Sequence, residues 1–176
     1  RRDFTINGLF FDPARNRVID YVGGREDLDA KIVRCIGDPD TRFEEDHLRM
    51  LRAARFAATL DFTIEVHTAN AIRRHASQIN AISMERVQQE LTRILLEPRR
   101  AGQAVVLLKH TGLLEEILPE VADMAGQEQP PQFHPEGDVF THTVIMLDDM
   151  KERSKELALA VLLHDVGKPP TATLSQ

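Results

Sequence analysis

Charged residues crowd into one stretch of the chain, residues 42–56, at spacings typical of a helix. Leucines and alanines recur there at three- and four-residue steps, which predicts a helix over 44–59 with one buried face. Asp46 and Arg49 are three residues apart, so such a helix would make their side chains neighbours. Since a carboxylate only accepts hydrogen bonds and a guanidinium only donates them, the pair offers both polarities at one place.

Two interpretations of this stretch stay open on spacing alone, and the simpler one is favoured. That one is a solvated helix face whose charges pair along the helix. The other is recognition of a nucleobase. The pairing edges of cytosine and adenine present an amino donor beside a ring-nitrogen acceptor, whereas guanine and uracil present a carbonyl beside an N–H. An Asp–Arg pair can therefore accept C and A and reject G and U, because the wrong base leaves buried polar groups unpaired. The remaining arginines could hold a triphosphate.

The composition bounds the kind of protein. Hydrophobic residues make up 42% and charged residues 28%, which is ordinary for a globular protein. No apolar run approaches the roughly eighteen residues of a membrane span, so we expect no membrane partner. The single cysteine, Cys35, excludes an internal disulfide partner and fits a reducing cytoplasm. The net charge of −6 argues against a protein that coats nucleic acid through bulk positive charge. Because the chain begins on two arginines rather than a methionine, we expect a fragment of a longer protein.

The elements that must position these residues are short strands first and helices afterwards. Apolar runs over 4–11 and 18–22, separated by turn residues, predict a β-hairpin, and 31–36 predicts one more short strand. No strand is predicted from about residue 43 onward. Further helices are predicted at 66–78, 83–96, 99–110, 113–118, 139–151 and 156–166. The predicted fold class is therefore mostly α, with a small β remnant at the N-terminus.

Four segments, in this order, resemble the class II nucleotidyltransferases that build the CCA end of tRNA and the related bacterial poly(A) polymerases. The matching segments are RRDFTIN (1–7), DYVGGREDL (20–28), EDHLRMLRAARF (45–56) and SMERVQQEL (83–91). The resemblance covers nearly the whole chain. It implies that 1–40 is the end of an α/β nucleotidyltransferase head and 41–124 a helical neck and body that binds nucleotide and RNA.

The resemblance also implies roles for single residues. Asp46 and Arg49 would read the base of the incoming CTP or ATP. The other residues implied to bind the nucleotide are Arg2, Arg52 and Arg55, with Asp3 beside them. The family's catalytic Gly-Gly-x-x-Arg-Asp turn, followed by an Asp-x-Asp pair that holds Mg²⁺, lies upstream of the first segment, and that combination is missing here. The resemblance therefore implies no catalytic residue in this chain, and we expect these residues alone to be inactive.

A second group of residues with metal-binding chemistry lies in the last third of the chain. The segment HPEGDVFTH (134–142) is followed by HDVGK (164–168), a His-Asp doublet at the end of an apolar helix. Such a doublet, with a histidine one helix earlier, can bind a divalent metal. It resembles the start of an HD domain of metal-dependent phosphohydrolases, here 125–176, and implies His142, His164 and Asp165 as ligands. The HD pattern needs a later aspartate that the sequence does not reach, so a capped structural histidine is the competing interpretation.

The function implied for the whole protein is transfer of CMP or AMP, with Mg²⁺, from CTP or ATP to the 3′ end of tRNA or another RNA. Scattered basic residues would steer the RNA: Arg73, Arg74, Arg99, Arg100 and Lys109. Poly(A) addition uses the same pocket and stays open as an alternative. So do a metal-dependent HD phosphohydrolase and a non-catalytic nucleotide- or RNA-binding module.

Overall fold

The computed structural model describes residues 2–129 and 137–172. Helices dominate these ranges, and the strands form two small two-stranded sheets. The predicted fold class, mostly α with a small β remnant at the start, is confirmed. His134, part of the predicted metal-binding segment, lies outside the described residues.

The elements follow one another with short connections. The strands are β1 (Phe10–Asp12), β2 (Arg17–Ile19), β3 (Ile32–Val33) and β4 (Thr63–Ile64). The helices are α1 (Gly24–Asp29), α2 (Pro39–Glu45), α3 (Leu48–Leu60), α4 (Val66–His75), α5 (Met84–Leu96), α6 (Ala101–His110), α7 (Leu113–Ile117), α8 (Pro119–Ala122), α9 (Val139–Asp149), α10 (Lys155–Leu163) and α11 (Lys168–Ala172). Two 3-10 turns lie at Thr5–Asn7 and Ala76–Ala81.

The N-terminal hairpin is confirmed, although its first strand is shorter than predicted. β1 pairs antiparallel with β2, and Phe11 lies opposite Val18. Residues Thr5–Asn7 are a 3-10 turn instead of the start of a strand. The Gly8 amide donates to the Thr5 carbonyl at 2.9 Å, which closes the turn, and a long-range contact fixes it, since the Thr5 hydroxyl donates to buried Asp27 at 2.6 Å.

The prediction of no strand beyond residue 43 is wrong. β4 pairs parallel with β3, so that Ile32 lies opposite Thr63. Asp61 ends α3 in the left-handed region (φ 56°), and the Phe62 amide bonds back to the Ala57 carbonyl at 2.8 Å. This tight reversal brings the chain alongside β3. A strand of two residues is too short to show a period of two, so the sequence gives no signal for it.

The predicted single helix over 44–59 is two helices. Asp38 caps α2 by accepting from the Thr41 amide at 3.0 Å, and a proline follows at the first helical position, so this helix begins before residue 44. Asp46 then has extended backbone (φ −161°, ψ 103°), which ends α2. Asp46 therefore lies at a corner between α2 and α3 rather than within a helix.

Helix α3 is the central element of the core. Its buried side chains, among them Met50, Leu51 and Ala54, pack against α5 and α6. The face of α6 that points away from α3 packs against α9. Burial raises the pKa of the Cys35 thiol to about 12, as expected for a packed structural cysteine. Within the described ranges, no helix is both long and apolar enough to cross a membrane.

Candidate functional site

The corner between α2 and α3 gathers most of the predicted nucleotide-binding residues. Asp3, brought from the N-terminus, accepts from Arg49 Nε at 2.9 Å through Oδ1. Its other oxygen, Oδ2, lies 2.7 Å from Arg52 Nη2. Arg49 and Arg52 are one turn apart on α3, so a single carboxylate fixes both guanidinium groups.

Arg49 is the most constrained of these side chains. Its Nη1 donates to Glu45 Oε2 at 2.9 Å and to the carbonyl of Arg42 at 2.6 Å. Burial alone would lower the pKa of Arg49, but the hydrogen bonds to Glu45 and Asp3 outweigh it and raise that pKa above its ordinary value. The guanidinium is therefore charged and held in one position at any physiological pH.

Asp46 meets a residue for which sequence analysis proposed no role. Arg86, on the first turn of α5, donates from Nη2 to both carboxylate oxygens of Asp46, at 3.2 and 3.3 Å. Asp46 Oδ1 also accepts from the Leu48 amide at 3.3 Å, at the start of α3. Arg86 lies within the segment SMERVQQEL, but its contact spans 40 residues, so no local spacing could have indicated it.

Arg2 lies at the edge of a cleft beside this corner. The cleft has a volume of about 410 Å³, and its walls include Arg2, Tyr21, Arg42 and Glu45. The Arg2 carbonyl accepts from Arg42 Nη2 at 2.7 Å, which ties the N-terminal segment to α2. The cleft thus has cationic groups on one wall and an exposed aromatic ring on another.

Arg55 is placed apart from the other predicted residues. It is buried between α3 and α5, where Nε lies 2.5 Å from Glu90 and Nη1 lies 2.7 Å from Glu97. Its guanidinium also stacks 4.3 Å from the ring centroid of Phe56. A nucleotide contact by Arg55 stays a prediction, and its donors are directed at these two carboxylates in the structure.

Two Asp-x-Asp pairs occur in the chain, and their described contacts are structural. Asp27 accepts from the Thr5 hydroxyl and from Arg34 Nε at 3.0 Å. Asp38 caps α2, and Asp40 pairs with Arg74 at 2.6 Å. These contacts give no reason to assign either pair to catalysis.

The three predicted metal ligands come together between α9 and the end of α10. Ligand atoms of His142, His164 and Asp165 all lie within 4.8 Å of one another. His164 Nδ1 lies 2.7 Å from the Val161 carbonyl, which only accepts, so Nδ1 carries the proton and Nε2 is left as a ligand. That Nε2 is 3.1 Å from Asp165 Oδ2, an arrangement that suits a cation between the two atoms. Lys168 also reaches Asp165 Oδ2, at 2.7 Å.

Comparison with known proteins gives matches along most of the chain. Residues 1–34 match the family model described as the poly A polymerase head domain. Residues 61–124 match the model described as a probable RNA and SrmB-binding site of polymerase A. The two matches follow in the order expected from the resemblance seen in the sequence.

Individual relatives agree with these models. A multifunctional CCA protein of Halorhodospira halophila is 43% identical, over 97% of this chain and 42% of that protein. An A-adding tRNA nucleotidyltransferase of Deinococcus radiodurans is 38% identical, over 97% of this chain and 40% of that protein. The crystal structure of the Bacillus stearothermophilus CCA-adding enzyme in complex with CTP has a TM-score of 0.74 and 31% identity, over 94% of this chain and 38% of that one. The chain thus spans about two fifths of the length of the curated relatives it matches.

The small sheet remnant leading into helices is the part of the nucleotidyltransferase fold that this chain shares with that CCA-adding enzyme. More narrowly, the chain matches, in order, the head and RNA-binding family models of polymerase A and is similar to CCA-adding and A-adding tRNA nucleotidyltransferases, in line with the resemblance seen in its sequence.

Proposed function

We propose that the whole protein containing this chain adds CMP and AMP, from CTP and ATP, to the 3′ end of tRNA. The observation that carries the proposal is the corner between α2 and α3, where an acceptor, Asp46, and a donor, Arg49, are each fixed by charged partners. In the reaction, the RNA 3′-hydroxyl loses its proton and forms a bond to the α-phosphorus while pyrophosphate leaves. Mg²⁺ held by carboxylates outside this chain would activate the hydroxyl and neutralise the leaving group.

Base selection follows from the polarity of the corner. Asp46 accepts from the amino group of cytosine or adenine, and Arg49 donates to the neighbouring ring nitrogen. A carboxylate has about four lone-pair sites, so Asp46 can keep Arg86 while it accepts from the base. Guanine or uracil would set a carbonyl against the carboxylate, which leaves both groups unsatisfied.

The neighbouring arginines suit the triphosphate. Arg2 lines the 410 Å³ cleft, and Arg52 is one third exposed, with one contact to Asp3. Because Asp3 holds Arg49 and Arg52 before any nucleotide binds, little rearrangement is needed on binding. The division into head (1–40), neck and body (41–124) and HD region (125–176) is part of this proposal, supported by the matched ranges 1–34 and 61–124.

Calorimetry on the whole protein with CTP, ATP, GTP and UTP tests the assignment. We expect CTP and ATP to bind and the other two to bind at least tenfold more weakly, and Asp46→Ala to remove that preference. Asp149→Ala, an exposed position on α9, is the matched control and should leave it intact. Comparable heats for all four nucleotides in the unmodified protein would overturn the proposal. Incorporation of labelled CMP into tRNA lacking its CCA end separates CCA addition from poly(A) addition.

The histidine cluster supports a second activity in the same protein, metal-dependent hydrolysis of a phosphate ester. The specific observation is the convergence of His142, His164 and Asp165 within 4.8 Å, with Nε2 of His164 available. We expect Mn²⁺ or Co²⁺ to bind the whole protein, measured by calorimetry. His164→Ala should abolish that binding, together with phosphate release from 2′,3′-cyclic or phosphomonoester substrates, and leave CMP addition unchanged. Metal binding that persists in this variant would exclude the cluster.

A further inference from the structure

A second cleft lies at the other end of α3 from the charged corner. It has a volume of about 710 Å³ and runs between the last turn of α3 and α6. Its floor is apolar, and its rim carries Arg99, Arg100, Gln103 and His110. Since α3 has 13 residues, this cleft and the corner are separated by about 20 Å.

The other basic residues proposed to steer RNA are already engaged within the protein. Arg74 Nη2 donates to both carboxylate oxygens of Asp40, at 2.6 and 2.8 Å. Lys109 pairs with Glu115 at 2.8 Å, and Arg73 donates to Asn70 at 2.8 Å. These contacts leave fewer donors for a phosphate, and the charges of Arg74 and Lys109 are also balanced by a carboxylate.

Arg99 differs from them. In the parts of the chain that the structure describes, its guanidinium has no hydrogen-bond or ion-pair partner. Its neighbour Arg100 makes one contact, from Nε to Asp148 at 3.1 Å, and is two thirds exposed. Two adjacent cations therefore face the cleft with most of their donors unused.

The backbone beneath these arginines is fixed by the HD region. Arg153 donates to the carbonyls of both Pro98 and Arg99. Asp148 accepts from the Gly102 amide at 2.7 Å, at the start of α6. Residues of the HD region, which follows residue 125, thus hold the wall of the cleft. Most of the residues that line the cleft, from Asp61 to His110, lie in the segment matched to the RNA-binding model, and the end of α3 supplies the rest.

We propose that this cleft binds backbone phosphates of the RNA acceptor, with Arg99 and Arg100 as phosphate ligands and the HD region as their support. The inference rests on the proposed function. Arginine forms charge-assisted bonds to phosphate, and Gln103 and His110 offer partners for ribose hydroxyls. The half-buried ring of Phe62 gives little face for base stacking, so the backbone is recognised rather than the bases. Asp61, also on the cleft, opposes phosphate and limits affinity.

The test is filter binding of tRNA lacking its CCA end to the whole protein, at several salt concentrations. Arg99→Ala should weaken binding several-fold and reduce the slope of log K against log salt by about 1, because one phosphate contact is lost. Arg99→Lys should keep most of that slope. Asp61→Asn should tighten binding, and it suits the left-handed backbone at this position. Lys151→Ala, an exposed change of the same charge outside the cleft, is the control.

Nucleotide calorimetry on the same variants separates the two proposals. Arg99→Ala should bind CTP and ATP as the unmodified protein does, and normal CTP binding also shows that the variant is folded. Unchanged affinity and salt slope in Arg99→Ala would overturn the RNA cleft while leaving base selection at Asp46 intact. If all four nucleotides bind alike but Arg99→Ala still lowers the slope, base selection fails and the cleft stands.

Discussion

Two arginines of α3, six residues apart, carry their charge in different surroundings. Arg49 is near the surface of the corner and is shared between Asp3 and Glu45. Arg55 is buried, and its charge is balanced by Glu90 in the middle of α5 and by Glu97, which caps the C-terminus of that helix. A buried charge is tolerated only when it is paired and hydrogen-bonded. We therefore infer that Arg55 acts on the site by fixing α3 against α5, the helix that also supplies Arg86.

Replacing Arg55 tests this positioning role. Arg55→Ala leaves the carboxylate of Glu90, only 4% exposed, without its hydrogen-bond partner and with only the more distant Arg93, at 3.7 Å, to balance its charge. We expect the free energy of unfolding to fall by about 3–5 kcal/mol, measured by urea titration. Replacing both partners, as Arg55→Met with Glu90→Leu, should restore most of that loss, because no charge is left buried.

The double variant also decides whether Arg55 touches the nucleotide. If it only positions helices, the refolded double variant should bind CTP with nearly the original affinity. A stable double variant that has lost CTP binding would instead support the contact implied by the family resemblance. Arg52→Ala is the comparison. Because Arg52 is partly exposed, we expect its replacement to weaken CTP binding without a large loss of stability.

At the residue scale, the sequence could predict that Asp46 and Arg49 lie together, but not which residues hold them. The three-residue step between Asp46 and Arg49 brings them to one corner even though a helix break lies between them. Asp3 and Arg86 meet this pair across 46 and 40 residues, which no local pattern encodes. The metal ligands show the same limit of local sequence patterns. The doublet His164–Asp165 is visible in the sequence, but the approach of His142 depends on how α9 and α10 pack.

At the scale of elements, the crossing of α6 and α9 joins the segment proposed as the body to the segment proposed as the HD region. Gly102 lies where these helices meet, and a Cβ there would stand 2.2 Å from the Val144 carbonyl oxygen. That atom is backbone, so it cannot move aside as the end of a side chain can. The absence of a side chain at Gly102 thus permits the close approach on which the Asp148 contact depends.

Gly102→Ala should therefore destabilise the protein by about 1–3 kcal/mol, through overpacking, as measured by urea titration. The sign is diagnostic, because glycine to alanine within an unobstructed helix stabilises by up to about 1 kcal/mol. Gly167→Ala is the matched control: no atom lies within 4 Å of the added Cβ, and we expect little change. A neutral or stabilising Gly102→Ala would mean that the two helices are not packed this closely.

Long helices were predicted from the sequence with small errors at their ends, because their apolar period extends over three turns or more. α5 illustrates this: its predicted span, 83–96, differs from Met84–Leu96 only by its capping residue. The break at Asp46 and strand β4 were missed for the opposite reason. Each depends on one or two residues whose conformation is set by tertiary contacts, Asp46 with Arg86 and Thr63 with Ile32.

At the scale of the whole molecule, several carboxylates cap the starts of helices and turns. Asp38 caps α2, Glu65 caps α4 and Asp138 caps α9, each through a backbone amide. Asp20 does the same for the turn before α1, accepting from the Arg25 amide at 2.9 Å. The net charge of −6 is compatible with the cleft proposed to bind RNA, because these four carboxylates lie at the starts of helices and turns and do not line that cleft.

These carboxylates predict how stability depends on pH. The Arg25 amide lowers the pKa of Asp20, and the Thr41 amide lowers the pKa of Asp38. For Asp138, burial opposes the shift, but hydrogen bonds from Thr141 and the Gly126 amide still lower its pKa. A folded-state pKa below the unfolded value means that the contribution is fully present above the unfolded pKa and is lost as pH falls through the folded one. We expect a melting temperature that is flat between about pH 5 and 7 and falls below about pH 4.

Variants at Asp38 separate the titration of this cap from acid effects elsewhere. Asn is as good a helix cap as Asp but does not titrate, so Asp38→Asn should lose less stability between about pH 5 and 3 than the unmodified protein. Asp38→Ala removes the cap altogether and should lower the melting temperature at neutral pH. Its melting temperature should then approach that of the unmodified protein as the pH falls, because protonation weakens the same cap there. If the melting temperature fell equally with pH in all three proteins, Asp38 would contribute nothing to the pH dependence. The remaining carboxylates would then have to account for it.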